Sequence, residues 1–416
     1  MRLLSWIMGA VILCTAGGIH AQDLPFSMHL TRKAHSFIQN EALFQKGAKA
    51  WYEQDWEKTR PIFLRLDRLG DPRAAYVIGK IHQQTDWFSH NPLKSYTYLQ
   101  KALASGAFAA EPLYRDLRDQ AIKVHKLDDA YAYAQKAAQS QSAPSLIALA
   151  SFYQFGIGTD RNLAKASQIL HSVFPSRENE LTPEQREAGY ESMVLVHMKI
   201  DRYVALEYAE KLMPFKNKNA LLWRGILYGF GETIPRNERD AKQYLEIVRG
   251  LPDSRVHGAG LYYLGRLYER AGSSLQNEPL AYRYFQKALK AKYYPALVYL
   301  GEMTEHGRGV PADPYKASLF YTDCLELAPE IAHCAYNLGV LYKEGKGVDK
   351  NQNAFLRLME MSAQQRHAKA LMQLAHYYDF APREKRNFAK ARSYWQEACA
   401  LGESYACKVV DSLQQK

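Results

Sequence analysis

The chain is first narrowed by what it lacks. Cysteine is scarce, five in 416 residues, and no two stand as a CxxC pair. No HExxH run offers two histidines and a glutamate base to zinc. There is no GxSxG elbow and no P-loop. No serine is followed three residues later by lysine, which removes the SxxK pair that penicillin-recognising serine chemistry needs. Thirteen histidines are scattered. Glu305-His306 resembles an acid/base pair but has no third member, and His257, His367 and His376 fall at helix starts or faces. These absences leave no catalytic residue, cofactor or metal ligand to nominate, and the chain reads as a non-enzyme. Strand signals are also missing, as are linkers and low-complexity stretches.

Long apolar runs are equally rare. One occurs, Leu3 to Leu13, behind Arg2 and ahead of Gly17, Gly18 and the cleavage-like Ile19-His20-Ala21. Residues 1–21 therefore read as a signal peptide, too short to span a bilayer in the mature chain. Cys14 would be the lipid-bearing residue of an outer-membrane lipoprotein. The residue before it is Leu13 where a small one is wanted, so plain cleavage into the periplasm is the reading preferred, with lipidation or secretion as alternatives. Every later apolar segment is interrupted by charge within a turn or two, so no further span is expected.

Positive charge is what the chain has in excess. Its formal charge is +11 and its isoelectric point about 9.1. That balance favours anionic partners. In an exported protein these are acidic polysaccharide, peptidoglycan or acidic protein faces, not nucleic acid. Two basic clusters are candidate anion-binding sites. Lys287, Lys290 and Lys292 punctuate one helix beside Tyr293 and Tyr294. Arg383, Lys385, Arg386, Lys390 and Arg392 cluster near the C-terminal end. Each is also what a solvated helix face looks like.

The strongest signal is internal repetition. Gly265, Gly301, Gly339 and Ala375 are spaced by 36, 38 and 36 residues, the period of a helix-turn-helix repeat. Leu338, Leu341 and Tyr342 follow i, i+3, i+4 and share one helix face. Glycine inside that helix costs about 1 kcal/mol against alanine, so close approach of the partner helix is expected there. Gly345 is expected to cap the helix in the left-handed conformation, and Gly347-Val348 to turn the chain. Similar pairs stand at Gly156/Gly158, Gly229/Gly231 and Gly307/Gly309. An earlier copy is Ala75-Tyr76-Val77-Ile78-Gly79 with Ala102. Units without the double glycine begin near Gly47, Asp129 and Thr182. Thr182, Pro183 and Gln185 spell a capping box. Pro175 to Leu181 is the longest irregular insert and the expected flexible point.

The pattern ALxxLGxxYxxGxGVxxDxxKAxxxYxxAAxxG, best kept over 257–402, resembles the Sel1-like repeat, an α/α relative of the TPR. The resemblance implies an all-α, right-handed superhelical solenoid of about ten helix pairs. Its expected organisation is a lead-in at 22–42, TPR-like and degenerate Sel1-like repeats at 43–256, and Sel1-like repeats with a C-terminal capping helix at 257–416. The four mature cysteines fall at repeat-equivalent places, Cys324 and Cys399 ending second helices, Cys334 and Cys407 opening the next first helices. Repeat geometry selects the local pairings Cys324–Cys334 and Cys399–Cys407, as in cysteine-rich Sel1-like proteins, and export favours their oxidation. The resemblance further implies adaptor work among envelope proteins, as in alginate-type exopolysaccharide secretion. A basic groove for an anionic glycan and a secreted host-interaction role are the alternatives.

Overall fold

The computed structural model describes residues 40–83, 90–106, 110–231, 233–252, 254–270, 272–380, 382 and 386–414. The expected signal peptide, Cys14 and nearly all of the expected 22–42 lead-in lie outside these. Among the described residues every regular element is helical and there is no strand. The chain divides into two compact units at Lys216/Asn217. The change of repeat character expected at 256/257 falls inside the second.

The first unit holds α1 (Glu41–Tyr52), α2 (Trp56–Arg68), α3 (Pro72–Ile81), α4 (Pro92–Ser105), α5 (Ala110–Lys123), α6 (Leu127–Ala138), α7 (Ala143–Phe155), α8 (Leu163–His171), α9 (Pro183–Ile200) and α10 (Arg202–Lys211). The second holds α11 (Lys218–Phe230), α12 (Glu238–Arg249), α13 (Ser254–Glu269), α14 (Glu278–Lys290), α15 (Ala296–His306), α16 (Pro314–Leu327), α17 (Ala332–Glu344), α18 (Gln352–Gln364), α19 (Ala368–Phe380), α20 (Phe388–Ala400) and α21 (Ser404–Gln414). Odd and even helices pair as hairpins. Within each unit a hairpin packs on its sequence neighbours, so the core is continuous along the stack and no hairpin closes its apolar face alone.

Three sequence devices build the hairpins. The first is a glycine socket. A side chain added at Gly265 would meet the Phe285 ring at 2.8 Å, and one at Gly301 would meet Tyr321 at 2.3 Å. At Gly339 it would meet Met359 at 2.5 Å, at Gly225 Leu245 at 2.7 Å, and at Gly79 Leu99 at 2.9 Å. In every case a bulky residue twenty positions downstream fills the space, and all five are fully buried. The glycine thus admits a large side chain of the partner helix, where the sequence had suggested close backbone approach.

The second device is the glycine pair. Gly156, Gly307 and Gly345 close α7, α15 and α17 in the left-handed region. Their successors Gly158, Gly309 and Gly347 also have positive φ. A Cβ there would strike backbone of Leu127, Glu278 and Pro314 at 2.2, 2.5 and 2.3 Å. These are the first residues of α6, α14 and α16, so the second glycine seats each hairpin on its predecessor. The pair at 229–231 behaves differently: Gly229 lies inside α11 and Gly231 has an ordinary φ of −64°.

The third device is a capping asparagine or aspartate. The backbone N–H of Asn162, Asn237, Asn277, Asn351 and Asn387 donates to the carbonyl of a tyrosine nine residues earlier, at 2.7–3.1 Å. Asn91 donates likewise to His82, and Asp313 to Thr304. The side chain of each then accepts from the first turn of the following helix, satisfying donors a helix start leaves open.

The Thr182 capping box forms as expected. The insert before it is anchored instead of loose. Val173, Phe174 and Leu181 are buried, and the Arg177 guanidinium donates to the Gln141 carbonyl and to Glu180, each at 2.7 Å. Val348 is half-buried in its turn and packs on the Ala317–Tyr321 cluster.

Candidate functional site

A concavity lies in the second unit, where the end of α12, the start of α13 and the end of α14 converge. Its volume is about 830 Å³. Glu246 and Arg249 come from the last turn of α12, Leu251 and Pro252 from the following turn, and His257 and Leu261 from α13. Lys287, Lys290 and Ala291 complete it from α14. The helices arrive at this geometry through ordinary amphipathicity: Ala241, Leu245, Val248 and Ala281, Phe285, Ala288 bury one face each. That packing leaves the ends of both second helices, with their terminal cations, side by side.

The charges are unevenly matched. Glu246 forms an ion pair with Arg249 and accepts a hydrogen bond of 3.1 Å from the Tyr284 hydroxyl. Burial, helped by that carboxylate, pushes the Tyr284 phenol up to about 12, so it remains a donor. The one acid among the described lining residues is therefore engaged twice. Lys287 and Lys290 are exposed and pair with no carboxylate among the described residues; Lys287 Nζ stands 5.6 Å from the Tyr284 ring centroid. The His257 Nδ1–H donates to the Arg249 carbonyl. The groove is thus net cationic above a floor of Leu251, Pro252, Leu261 and Ala291.

Of the basic residues singled out from sequence, Lys287 and Lys290 come together here. Lys292 does not join them; it occupies the turn after α14 with φ of +61° and points its exposure elsewhere than this lining. In the C-terminal cluster, three of the five residues are described. Arg386 sits over Phe388, at 5.8 Å, and Lys390 over Tyr378, at 5.1 Å. Arg392 is exposed, and Arg383 and Lys385 lie outside the described residues. Sequence reasoning missed Arg249 and His257 as groove residues. Arg249 belongs to the preceding hairpin, so only the stacking brings it to Lys287.

The cysteines pair locally. Cys324–Cys334 spans the turn from α16 to α17 with Cα atoms 6.1 Å apart, and Cys399–Cys407 the turn from α20 to α21 at 4.6 Å. Bonds of this kind are the mark of an extracytoplasmic protein. No described helix is long and apolar enough to cross a membrane. Among the described residues no group of three or more His, Cys, Asp or Glu is placed to hold a metal ion.

The Sel1 repeat profile matches residues 72–106, 143–167, 219–247, 258–293, 295–321, 332–367 and 368–403, more than half of the chain. The chain belongs to the Sel1 repeat family. Its seven matched Sel1 segments coincide with the seven hairpins that carry the nine-residue capping bond. The three hairpins left out, α1–α2, α5–α6 and α9–α10, are those whose sequence reads as TPR-like.

Among solved structures, a Sel1 repeat protein from Oxalobacter formigenes is 18% identical, with 92% of this chain and 94% of that chain covered and a TM-score of 0.43. The protective antigen c5321 of uropathogenic Escherichia coli strains, which displays the same repeat fold, is 20% identical over 85% and 74%, with a TM-score of 0.42. Human IFIT1, as a dimer with m7Gppp-AAAA, is 14% identical over 81% of each chain, with a TM-score of 0.42. No curated protein matches the chain in sequence.

Proposed function

We propose that this Sel1 repeat protein is a non-catalytic adaptor of the periplasm, holding together proteins that assemble the cell envelope or export an exopolysaccharide. Sel1 repeats are in general protein-interaction scaffolds, and the repeat accounts for most of the chain's architecture. The observation that carries the reading is the use made of the side chains. The glycine sockets, the capping asparagines and the disulfides all serve to stack hairpins, and charged side chains such as Lys287, Lys290 and Arg392 are left exposed. The signal-like N-terminus and the two disulfides support an extracytoplasmic compartment.

A second reading has one observation in its favour: the groove is cationic. An anionic glycan, exopolysaccharide or peptidoglycan, is its ligand in that reading. Capture of the tagged, mature protein from its own envelope after cross-linking separates the two, with bound protein and acidic sugar quantified in one eluate. The adaptor reading expects a discrete, stoichiometric set of envelope proteins. Acidic sugar without stoichiometric protein would overturn it.

A further inference from the structure

The groove between α12, α13 and α14 has a chemistry more selective than positive charge alone. Its cations are Lys287 and Lys290, with Arg249 already matched by Glu246. Its floor is aliphatic. Among the described residues its lining holds a single ring, the His257 imidazole, and no Ser, Thr, Asn or Gln. A sugar ring carries many hydroxyls, each needing a directed donor or acceptor, and its flat C–H faces pack best on aromatic rings. Lysine only donates, Glu246 is already engaged, and His257 turns its Nδ1 to the Arg249 carbonyl, so most hydroxyls of a buried sugar would go unpaired at a cost. Carboxylates set beside an aliphatic side chain have the opposite requirements. They need cations that only donate and an apolar surface between them, and the groove supplies both.

We infer that this groove docks an acidic segment of a partner protein, with Asp or Glu carboxylates on Lys287 and Lys290 and an aliphatic side chain against Leu251, Pro252 and Leu261. The inference rests on the adaptor reading and gives it a place on the molecule. Lys287 and Lys290 project from the exposed side of α14, whose buried side is Ala281, Phe285 and Ala288, so their charge is reversed without touching the core. Lys292 lies outside the lining and is the internal control.

The test is fluorescence anisotropy of the full mature chain with a short labelled probe peptide in which glutamates flank leucines. Its control has glutamine at every glutamate, and an acidic oligouronate serves as competitor. The glutamate peptide is expected to bind saturably and to weaken roughly tenfold or more in Lys287→Glu/Lys290→Glu. Raised salt is expected to weaken it too. Lys292→Glu and the far-ultraviolet circular dichroism of both variants are expected to be unchanged. Equal binding of the glutamine peptide, indifference to the double substitution, or binding of oligouronate in place of peptide would each overturn the assignment. The envelope capture keeps the two levels apart. Partners retained by the double variant leave the adaptor reading standing and remove the groove from it. A capture without protein removes both.

Discussion

At the scale of single residues, the fold depends on matched pairs twenty positions apart. Tyr321 is wholly buried against Gly301, and its hydroxyl donates to Glu305 at 2.9 Å. Gly301→Ala forces a methyl into that ring and is expected to cost about 1–3 kcal/mol, read from the urea midpoint. Gly309→Ala is expected to cost more than Gly301→Ala, because the obstacle is the Glu278 backbone and φ is +72°. Equal midpoints for wild type and Gly309→Ala would contradict the seating role of that glycine. The repeat spacing made these glycines legible in the sequence. The partners downstream were not, since Leu99, Leu245, Phe285, Tyr321 and Met359 share bulk but not a single residue type.

His367 belongs at the same scale. Burial, and then the neighbouring His333, hold its imidazole down at about 4, and its Nδ1 is buried without a partner. A depressed histidine binds fewer protons folded than unfolded. Its contribution is therefore whole above the ordinary value near 6.5 and is lost as pH falls from there to about 4. The denaturation midpoint of the wild type is expected to decline over that window, and His367→Gln to flatten the decline. Parallel profiles for the two would show that the loss lies elsewhere.

At the scale of elements, each Sel1 hairpin is closed by its capping residue. In Asn351 the backbone reaches the Tyr342 carbonyl while the side chain accepts from Asn353 and Ala354. Asn351→Ala is expected to cost about 1 kcal/mol, and Asn351→Asp less, as a denaturation series would record. This device was invisible to a reading by hydrophobic period, because an asparagine between helices looks like loop. Its constant distance of nine residues from a tyrosine is the signal that was available. By contrast the Thr182 box, whose two members sit three residues apart, was legible at once.

The disulfides are elements in the same sense, each tying a second helix to the next first helix. Closing loops this small contributes roughly 2–3 kcal/mol apiece in the chain-entropy account. Cys324 and Cys334 are fully buried, whereas Cys399 and Cys407 are half-buried. Mild reductant followed by alkylation and mass mapping is expected to label Cys399 and Cys407 first. Labelling of Cys324 and Cys334 first would contradict the burial.

For the whole molecule, repetition was the most legible property and partner identity the least. Helix pairs, their number and the local cysteine pairing all follow from spacing along one chain. The groove does not, because it is assembled from Arg249, His257, Lys287 and Lys290 on three helices of two hairpins, and only stacking brings them together. In the C-terminal basic run, conspicuous in sequence, Arg386 and Lys390 are laid over the rings of Phe388 and Tyr378. A surplus of positive charge spread over a surface draws it to acidic surfaces; selectivity has to come from a place where charge and shape coincide.

The central claim is that the protein recruits proteins, and does so through that place. The most direct measurement is quantitative cross-linking capture from the native envelope, with wild type, Lys287→Glu/Lys290→Glu and Lys292→Glu run side by side. The account predicts a discrete protein set shared by wild type and Lys292→Glu and depleted in the double variant. An identical set in all three, or acidic sugar with no stoichiometric protein in any, would contradict it.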